Sequence, residues 1–367
     1  MRRLLDSYPV YWVNTIGTRT PRLNLATLRR GLEKLRNWTR RSEPNESLPP
    51  NLQVLHPFMW PWFSSSFDRG INRRLLGRAL VPLVRSLPAP PIAITTLPIV
   101  ADLMDVLPVR HWVYYCVDDF GEWPGLDGDA LRRMEEKLVR RANILVAVSE
   151  TLKDHLATMG HRPSHLLTHG VDLEFWRKPA EDRAISQLVG LERPLIVFWG
   201  VVDRRMDIAF VQRLAAELTG GTIVLAGPEV DPDPALFSIP RVIRIGTLAF
   251  EELPYLAREA AVLVMPYADM PVTRAMQPLK LKEYLATGKP VVVRDLPATR
   301  EWADCMDMVD TAEKFAQAVG SRLRMGLPPS QQAARARLAG ESWSEKARAF
   351  ERWILTTESA RDAVYCS

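Results

Sequence analysis

The chain has 367 residues, of which 47% are hydrophobic and 25% charged, and its formal net charge is +5 at pH 7. This length and balance predict a globular protein with two domains, each large enough to bury its own core. The three cysteines are scattered, which argues against a disulfide framework and favours a reducing, cytoplasmic setting. Because no run of 18 apolar residues and no clean signal-peptide core occurs, no membrane-spanning helix is predicted.

Positive charge is concentrated in the first 110 residues, partly on two predicted amphipathic helices at residues 25–40 and 71–85. Basic amphipathic helices suit an anionic membrane surface or a phosphorylated lipid acceptor, although a solvated helix face would show the same pattern. No basic-and-aromatic strand pattern or recognition-helix module is visible, so nucleic acid is not an expected partner.

The sequence also lacks the motifs of three common enzyme classes. No GxGxxG follows a predicted strand, and neither GxxxxGK[ST] nor GxSxG occurs. These absences disfavour dehydrogenases, P-loop NTPases and α/β-hydrolases.

Apolar strands and helices alternate along the first half of the chain. The predicted strands are residues 8–14, 52–56, 91–95, 112–117 and 144–148. A dense aromatic loop at residues 57–63 either packs on the core or covers the face of a sugar. Asp118 and Asp119 follow the fourth strand, at the sheet edge where open α/β sheets place ligands. At least one of them is therefore a functional candidate, the alternative being a cap of the next turn.

The second half repeats this alternation after a charged, irregular stretch at residues 178–193, which is the predicted linker between two domains. The predicted strands are residues 195–199, 222–226, 242–245, 261–266 and 291–293, and the last helix is residues 343–356. Strands that alternate with helices in this way predict a second doubly wound parallel sheet.

Gly200 lies between a strand and a helix, where it leaves room for a pyrophosphate at the positive end of the helix. Arg204 and Arg205 follow in the same loop, and a guanidinium can bind two phosphate oxygens at once. A strand–glycine–helix turn is common, so it indicates a phosphate site only in combination with other features.

Glu283 lies on a short amphipathic helix that Gly288 ends, just before a buried strand. A carboxylate near a helix start could accept hydrogen bonds from two vicinal hydroxyls, such as those of a ribose. The alternative is an exposed residue on a solvated helix face, since Lys280 and Lys282 nearby are also polar.

The run PLKLKEYLATGKPVV at residues 278–292 resembles the donor-sugar signature of retaining GT-B-type glycosyltransferases that use nucleotide sugars. CVDDF, RRANILVAVSETL and HGVD match the same exopolysaccharide-type branch. The resemblance implies an α/β protein of the GT-B fold, with two Rossmann-like, doubly wound parallel-sheet domains facing a cleft. The implied domains are residues 1–178 on the acceptor side and 179–341 for the nucleotide sugar. Residues 342–367 would form a helix that crosses back to the first domain.

The resemblance also implies roles for the candidate residues. Glu283 would bind the ribose of the donor. Arg204, with Arg205 in reserve, and Lys280 would bind its phosphates. The other donor-side residues are Gly200, Pro278 and Leu279. Asp118 or Asp119 would orient the acceptor hydroxyl or take its proton. His169 would line the cleft.

Two departures from the family pattern stand out. Many relatives carry a glutamate eight positions before Glu283, where this chain has Ala275. Sugar contacts at that edge would then come from elsewhere, such as the backbone of residues 276–279. Relatives also have a strand, a loop and a helix before a strand like residues 8–14, so we expect that this sequence starts late, in a truncated form.

Two acidic pairs and four histidines invite a metal interpretation, which their local patterns do not favour. Asp127 and Asp129 precede a helix, with Asp129 as the predicted cap, and Asp231 and Asp233 lie in a proline-rich turn. The histidines cross a helix end, a turn and a strand, and so do not share one face. They are His155, His161, His165 and His169. We predict no metal and no cofactor beyond the donor, since arginine and helix dipoles can meet the charge of the leaving group.

The implied function is transfer of a sugar, of the hexosyltransferase type, from a nucleotide-diphosphate sugar to a saccharide or lipid-linked acceptor in bacterial surface polysaccharide or glycolipid synthesis. We expect a cytoplasmic protein, with peripheral attachment to the inner membrane face as an open question. Two alternatives stay open. A nucleotide-sugar epimerase of the same fold would consume donor without an acceptor, and an inactive relative would bind nucleotide or lipid without turnover.

Overall fold

A computed structural model describes residues 1–16, 48–160, 162–177 and 185–356. The first predicted basic helix, His161 and the start of the predicted linker lie outside these residues. The chain divides into two compact units. The first comprises Met1–Ala147, Lys153–Leu166 and Ala347–Ser367, and the second comprises Val148–Leu152 and Leu167–Lys346. The predicted domain limits at residues 178 and 341 stay predictions.

The first unit contains two parallel sheets. A separate pair is formed by β1 (Val10–Val13) and β2 (Leu52–Leu55). The larger sheet has the order β3-β4-β5-β6, with β3 at Ile92–Thr95, β4 at His111–Cys116, β5 at Ile144–Ala147 and β6 at Ser164–Leu166. Every residue of β5 is buried, as is typical of an inner parallel strand that helices cover on both faces.

The helices of the first unit begin at side-chain caps. α1 (Ser66–Ser86) starts with a capping box, in which Ser65 Oγ accepts the Asp68 N–H and the Asp68 carboxylate accepts the Ser65 N–H. α2 (Gly128–Arg141) is followed by α3 (Glu150–Met159). The cap of α2 is Asp127, whose Oδ1 accepts the Ala130 N–H at 3.1 Å. The predicted cap, Asp129, was therefore wrong, because this residue already lies in the first helical turn.

The second unit is built on a six-stranded parallel sheet of order β11-β9-β7-β12-β13-β14. These strands are β7 (Leu195–Trp199), β9 (Thr222–Ala226), β11 (Val242–Gly246), β12 (Ala260–Met265), β13 (Val291–Arg294) and β14 (Asp307–Val309). A short ladder pairs β8 (Val202–Asp203) with β10 (Glu229–Val230) and joins the loops after β7 and β9. The strand order reverses between β7 and β12, and open α/β sheets bind ligands at such a switch point.

The helices of the second unit cover this sheet. They are α4 (Leu173–Arg177), α5 (Ile208–Glu217), α6 (Leu253–Glu259), α7 (Pro271–Ala275), α8 (Leu279–Ala286), α9 (Ala312–Met325) and α10 (Pro329–Ala334). The last helix, α11 (Trp343–Thr356), belongs to the first unit from Ala347 onward. α8 was predicted to have a polar face, but Lys282 is only 2% exposed and neighbouring elements enclose the helix. Gly288 then takes φ +75°, the left-handed conformation that favours glycine after a helix.

From Ala347 onward, α11 belongs to the first unit and packs within it. Glu351 Oε1 accepts the hydroxyl of Tyr8 at 2.6 Å, and Trp353 stacks on His165 with ring centroids 4.4 Å apart. The Ile354 carbonyl lies 3.0 Å from His111 Nε2. These contacts bury one face of α11 although the helix begins in the second unit.

The predicted α/β class with parallel sheets in both halves is confirmed. In the described parts of the chain, no helix has the length and apolar character needed to cross a membrane.

Candidate functional site

The candidate site of the second unit lies where β7 and β12 end and α8 begins, beside the reversal in strand order. Gly200 directly follows β7 and has φ +135°. A Cβ at Gly200 would overlap Lys280 Nζ, and a Cβ at Gly227 would overlap the Gly200 carbonyl oxygen. Gly227 is therefore required by the close approach of the Gly200 backbone, whereas Gly200 is required by its positive φ. The Lys280 ammonium group occupies the space beside Gly200 that a side chain would fill.

Lys280 is held mainly by aromatic side chains. Its Nζ donates to Tyr267 Oη at 2.5 Å and lies 4.4 Å from the ring centroid of Phe198. Among the residues that the structure describes, no carboxylate forms an ion pair with Lys280. An ammonium group held by aromatic neighbours keeps its charge available to an anion.

The two arginines of the loop after β7 point to different surroundings. Arg204 is half-exposed, and its Nε lies 3.4 Å from Asp231 in the loop after β9. Arg205 is only 9% exposed, and its guanidinium donates through Nε and Nη2 to the carboxylate of Asp203. Its Cζ also lies 5.8 Å from the ring centroid of Tyr267. The structure thus brings Arg205, the reserve candidate, to the same tyrosine as Lys280.

Glu283 is 8% exposed, so it is not the solvated surface residue of the alternative interpretation. Trp199 Nε1 donates to its Oε2 at a long 3.4 Å, and no other hydrogen bond to this side chain occurs within the described residues. Burial raises the pKa of the carboxyl group, while the bond from Trp199 and the charge of Lys280 oppose that rise. The carboxylate keeps unused acceptor capacity, which suits a ligand that offers hydroxyl donors.

Neighbouring side chains hold Trp199 in place. This sets the position of the indole N–H that donates to Glu283. The backbone N–H of Trp199 donates to the Tyr284 hydroxyl at 2.9 Å, and its ring stacks on Trp176 with centroids 5.4 Å apart. Glu283 and Tyr284 are consecutive on α8, so one helix supplies both contacts to this tryptophan.

The start of α8 places the remaining donor-side candidates. Pro278 is buried at the N-cap position, where its missing N–H costs nothing, and Leu279 is 42% exposed. At the end of α7, Ala275 is buried and its carbonyl oxygen accepts the hydroxyl of Ser149. The backbone carbonyl at the position of the family glutamate is thus already bound within the chain.

His169 lies beside α8 rather than in contact with Glu283. The backbone N–H of His169 donates to Gln277 Oε1 at 2.6 Å, and its backbone carbonyl accepts a hydrogen bond from Lys282 Nζ at 2.7 Å. Burial, with the charges of Lys282 and Lys346, lowers the pKa of the imidazole to about 4. His169 is therefore neutral at physiological pH.

Lys282 was not foreseen as a buried cation. Its Nζ contacts the Glu341 carboxylate and Thr168 Oγ1, and Lys346 Nζ reaches the same carboxylate at 2.7 Å. Because desolvation lowers the pKa of Lys282, the Glu341 carboxylate is needed to keep this lysine charged. The contacts of Lys282 with Glu341 and Thr168 therefore hold α8 in place.

The acids of the first unit lie at the carboxyl end of β4. Asp119 Oδ1 accepts the Gly121 N–H at 3.1 Å, and burial raises the pKa of this carboxyl. Asp118 lies half-buried next to it and also takes part in interactions within the chain. Asp119 therefore caps the turn that follows β4, which was the alternative interpretation of this acidic pair.

A buried network beneath Asp119 was missed by the sequence analysis. Glu135 is 1% exposed and accepts the hydroxyl of Tyr114 at 2.5 Å and the thiol of Cys116 at 3.5 Å. His155 Nε2 lies 3.2 Å from the second oxygen of Glu135, and this bond raises the pKa of His155. The only sequence signal was an acid at a core-facing position of an amphipathic helix.

The groups considered for metal binding have other partners. Asp127 caps α2, Asp231 faces Arg204, and Asp233 Oδ1 accepts the Ala235 N–H at 2.9 Å. Within the described ranges, no cluster of three His, Cys, Asp or Glu side chains could hold a metal ion. The prediction of a metal-independent site stays a prediction.

Comparison with known proteins adds sequence and fold relationships. Residues 193–325 match the family model described as glycosyl transferases group 1. The protein TuaH of Bacillus subtilis, provisionally assigned as a glycosyltransferase of teichuronic acid biosynthesis, is 30% identical over 178 residues. That alignment covers 46% of this chain and 44% of TuaH, so it spans less than half of the relative's length.

Solved structures show the same fold at low sequence identity. Sucrose-phosphate synthase from Thermosynechococcus elongatus has a TM-score of 0.69 at 15% identity, covering 96% of this chain and all of its own. HepE from Anabaena, in complex with UDP-glucose, has a TM-score of 0.63 at 12% identity, covering 95% of this chain and 99% of its own. These likenesses show that the chain shares the GT-B fold of these structural neighbours.

Proposed function

We propose that the protein is a glycosyltransferase that binds a nucleotide-diphosphate sugar at the carboxyl edge of the second-unit sheet. The observation that carries this proposal is the pair formed by Lys280 and Glu283 on one short helix. The first is a cation without an acid partner among the described residues, and the second is a buried carboxylate with one long hydrogen bond. A diphosphate would supply an anion for Lys280, and a ribose diol would supply hydrogen-bond donors for Glu283.

The proposed roles follow from charge and geometry. Lys280 binds the diphosphate, helped by the positive end of α8 and the backbone room at Gly200, and Arg205, which also pairs with Asp203, lies beside it. Glu283 accepts the ribose hydroxyls. The complexes of HepE with UDP-glucose and of Staphylococcus aureus TarM with UDP are in line with a donor of this class.

In the proposed reaction, the bond between the anomeric carbon and the β-phosphate oxygen breaks while a bond to the acceptor hydroxyl oxygen forms. The nucleoside diphosphate leaves with the electron pair, and Lys280 and Arg205 stabilise its added charge. Retention at the anomeric carbon is part of the proposal. Asp119 is the proposed group that orients the acceptor hydroxyl and takes its proton as the new bond forms, because its raised pKa makes it a stronger base than an exposed aspartate. Asp118 is the alternative.

The proposed acceptor is a saccharide or a lipid-linked saccharide, used in making bacterial surface polysaccharide or glycolipid. The relationship to TuaH, assigned to teichuronic acid biosynthesis, supports this class. Cytoplasmic location at the inner membrane face belongs to the same proposal.

The outer face of α1 supports contact with an anionic surface. Phe67 is 73% exposed, and Arg74, Arg78 and Arg85 are exposed on the same side of the helix. None of these arginines pairs with an acid in the described part of the chain. Their positions suit lipid phosphates, with Phe67 at the interface.

Sedimentation with vesicles tests this attachment. The protein is expected to bind anionic phosphatidylglycerol vesicles at low salt and to release as salt screens the charges. Replacing the three α1 arginines by glutamine should abolish sedimentation. A control variant with the same charge change at the ion-paired Arg193, Arg213 and Arg337 should sediment as before. No wild-type binding at low salt, or equal binding by both variants, contradicts the attachment.

Product analysis tests the activity. The purified protein is incubated with a panel of nucleotide-diphosphate sugars, with and without saccharide and lipid-linked acceptors. A glycosyltransferase releases free nucleoside diphosphate and a glycosylated product only when acceptor is present. Donor converted to an isomeric donor without acceptor would identify the epimerase alternative instead. Binding without turnover across the panel would favour the inactive-relative alternative.

A further inference from the structure

Tyr267, which no sequence pattern singled out, lies at the centre of the candidate donor site. It follows β12 and is 3% exposed. Its backbone forms a β-bridge with Met206, and the flanking residues add two more backbone bonds to the same loop. Ala268 N–H donates to the Arg205 carbonyl at 2.7 Å, and Asp207 N–H donates to the Pro266 carbonyl at 2.8 Å. The tyrosine is thus fixed to the loop that carries Arg205.

The side chain of Tyr267 gathers two cations. Its hydroxyl accepts Lys280 Nζ at 2.5 Å, and the same ammonium lies 5.1 Å from its ring centroid. Arg205 Cζ lies 5.8 Å from that centroid. Phe198 packs edge-on against the ring, with centroids 6.1 Å apart and planes at 85°, which sets the orientation of the phenol.

The chemical nature of this partner matters. A carboxylate in place of the phenol would hold Lys280 equally well, but it would cancel most of the charge that an anion needs. A neutral hydroxyl accepts one of the three ammonium N–H groups and leaves the net charge unchanged. The ring adds a weak attraction for both cations without contributing a negative charge. Tyr267 can therefore hold the Lys280 ammonium group without cancelling its charge, next to an Arg205 guanidinium that already pairs with Asp203.

We infer that Tyr267 is a positioning residue that aims Lys280, with Arg205 beside it, at the diphosphate of the donor. This inference rests on the proposed function and deepens it. The ammonium group of Lys280, which contacts the Tyr267 hydroxyl and two aromatic rings, supplies the charge for the diphosphate. The hydroxyl of Tyr267 should therefore contribute to affinity for the diphosphate and not to affinity for the nucleoside alone.

Calorimetric titration of the Tyr267→Phe variant tests the inference. The probes are UDP, GDP, ADP and dTDP, together with the nucleoside of whichever diphosphate the wild type binds. Loss of a charge-assisted hydrogen bond should weaken diphosphate binding by about tenfold, while nucleoside binding changes less than about twofold. The matched control is Tyr255→Phe on α6, whose ring faces Arg258 at 5.8 Å and which should bind as the wild type does.

A double-mutant cycle separates positioning from a general structural effect. If Tyr267 acts through Lys280, adding Tyr267→Phe to Lys280→Met should cause less than about a twofold further loss. A further tenfold loss in that background overturns the inference, as does diphosphate binding by Tyr267→Phe at wild-type strength. If the wild type binds none of the diphosphates, the proposed function fails together with the inference. Melting curves of each variant establish that the fold is retained.

Discussion

The two main parallel sheets present different chemistry at the edge where their strands end. In the first unit, buried Glu135 accepts bonds from Tyr114 and Cys116 and pairs with His155. In the second unit, Lys280 and Glu283 have aromatic partners, and no ion pair of either occurs among the described residues. Charged groups that satisfy one another stabilise a fold. Charged groups held by neutral rings keep binding capacity for a ligand.

Histidines follow the same division. His155 lies against an acid and has a raised pKa, whereas His169 lies against two lysines and has a pKa lowered to about 4. The contrast belongs to these two side chains and not to whole units, since burial lowers the pKa of His165 in the first unit. On this basis, we assign structural stability to the network under Asp119 and ligand binding to the edge at α8.

The largest expected effect is on stability, from Glu135→Ala in the first unit. Removing this carboxylate leaves the hydroxyl, the thiol and the imidazole without their acceptor, at a cost of about 3 kcal/mol in the free energy of unfolding. Urea unfolding measures the change. The affinity for a nucleoside diphosphate should stay the same in the folded variant.

The neighbouring Glu136 supplies a matched control for that prediction. Its carboxylate is half-exposed and lies 3.7 Å from Arg140 one helical turn away. Glu136→Ala should cost less than about 0.5 kcal/mol, as surface ion pairs do. Equal losses in the two variants would remove the distinction between a stabilising network and an ordinary helix surface.

A smaller effect, on binding, is expected from Glu283→Gln in the second unit. An amide offers one acceptor oxygen instead of two, so affinity for a ribonucleoside diphosphate should fall by about tenfold. Affinity for the 2′,3′-dideoxy analogue, which lacks both hydroxyls, should change little. If both ligands lose affinity equally, Glu283 does not recognise the ribose.

Glu283 also predicts a pH dependence of binding. Because burial raises its pKa, the wild-type carboxylate gains a proton at a higher pH than an exposed glutamate would. Protonation removes acceptor capacity, so ribonucleotide affinity should fall early as the pH is lowered. The ribonucleotide affinity of Glu283→Gln should not show this early fall when both proteins are measured over the same pH range.

The smallest expected effects come from the two histidines, which should shift stability in opposite directions with pH. His155 has a raised pKa, so its contribution is present below its unfolded pKa of about 6.5 and is lost as the pH rises through the folded value. His169 has a folded pKa of about 4, so protonation destabilises the protein as the pH falls from about 6.5 towards 4.

Proton NMR titration of the imidazoles measures both values, with His155→Gln and His169→Gln used to assign the signals. The measured pKa of His155 should lie well above that of His169. The His169→Gln variant should lose less stability than the wild type between pH 6.5 and pH 4.5. If both imidazoles titrate near their ordinary value, the contrast between the two regions does not hold for these residues.

Much of the fold could be predicted from the sequence because apolar runs mark parallel strands. β7 and β9 were predicted at their observed limits, since each is a five-residue apolar segment ended by glycine. The short strands β8 and β10 were missed, because a two-residue strand is too short to show a pattern of apolar and polar residues. The cap of α2 was assigned to Asp129 instead of Asp127, since both aspartates precede the same apolar pattern.

The candidate site was only partly predictable. Glu283, Lys280 and Gly200 could be proposed because each belongs to a local pattern with a chemical reason. Tyr267, Glu135 and the buried role of Lys282 could not, because their partners are distant in the sequence and only the folded chain brings them together. The directions of the adjacent Arg204 and Arg205 side chains could not be predicted either, and the choice between them as a phosphate ligand stays a prediction.

The most direct test of the account is calorimetric titration of Lys280→Met with a nucleoside diphosphate that the wild type binds. The variant removes the cation without an acid partner, and Lys314→Met, at an exposed lysine paired with Asp310 at 2.8 Å, is the matched control. We predict a loss of affinity of about a hundredfold for Lys280→Met and no change for Lys314→Met. Diphosphate binding by Lys280→Met at wild-type strength would contradict the assignment of the donor site to this edge of the second unit.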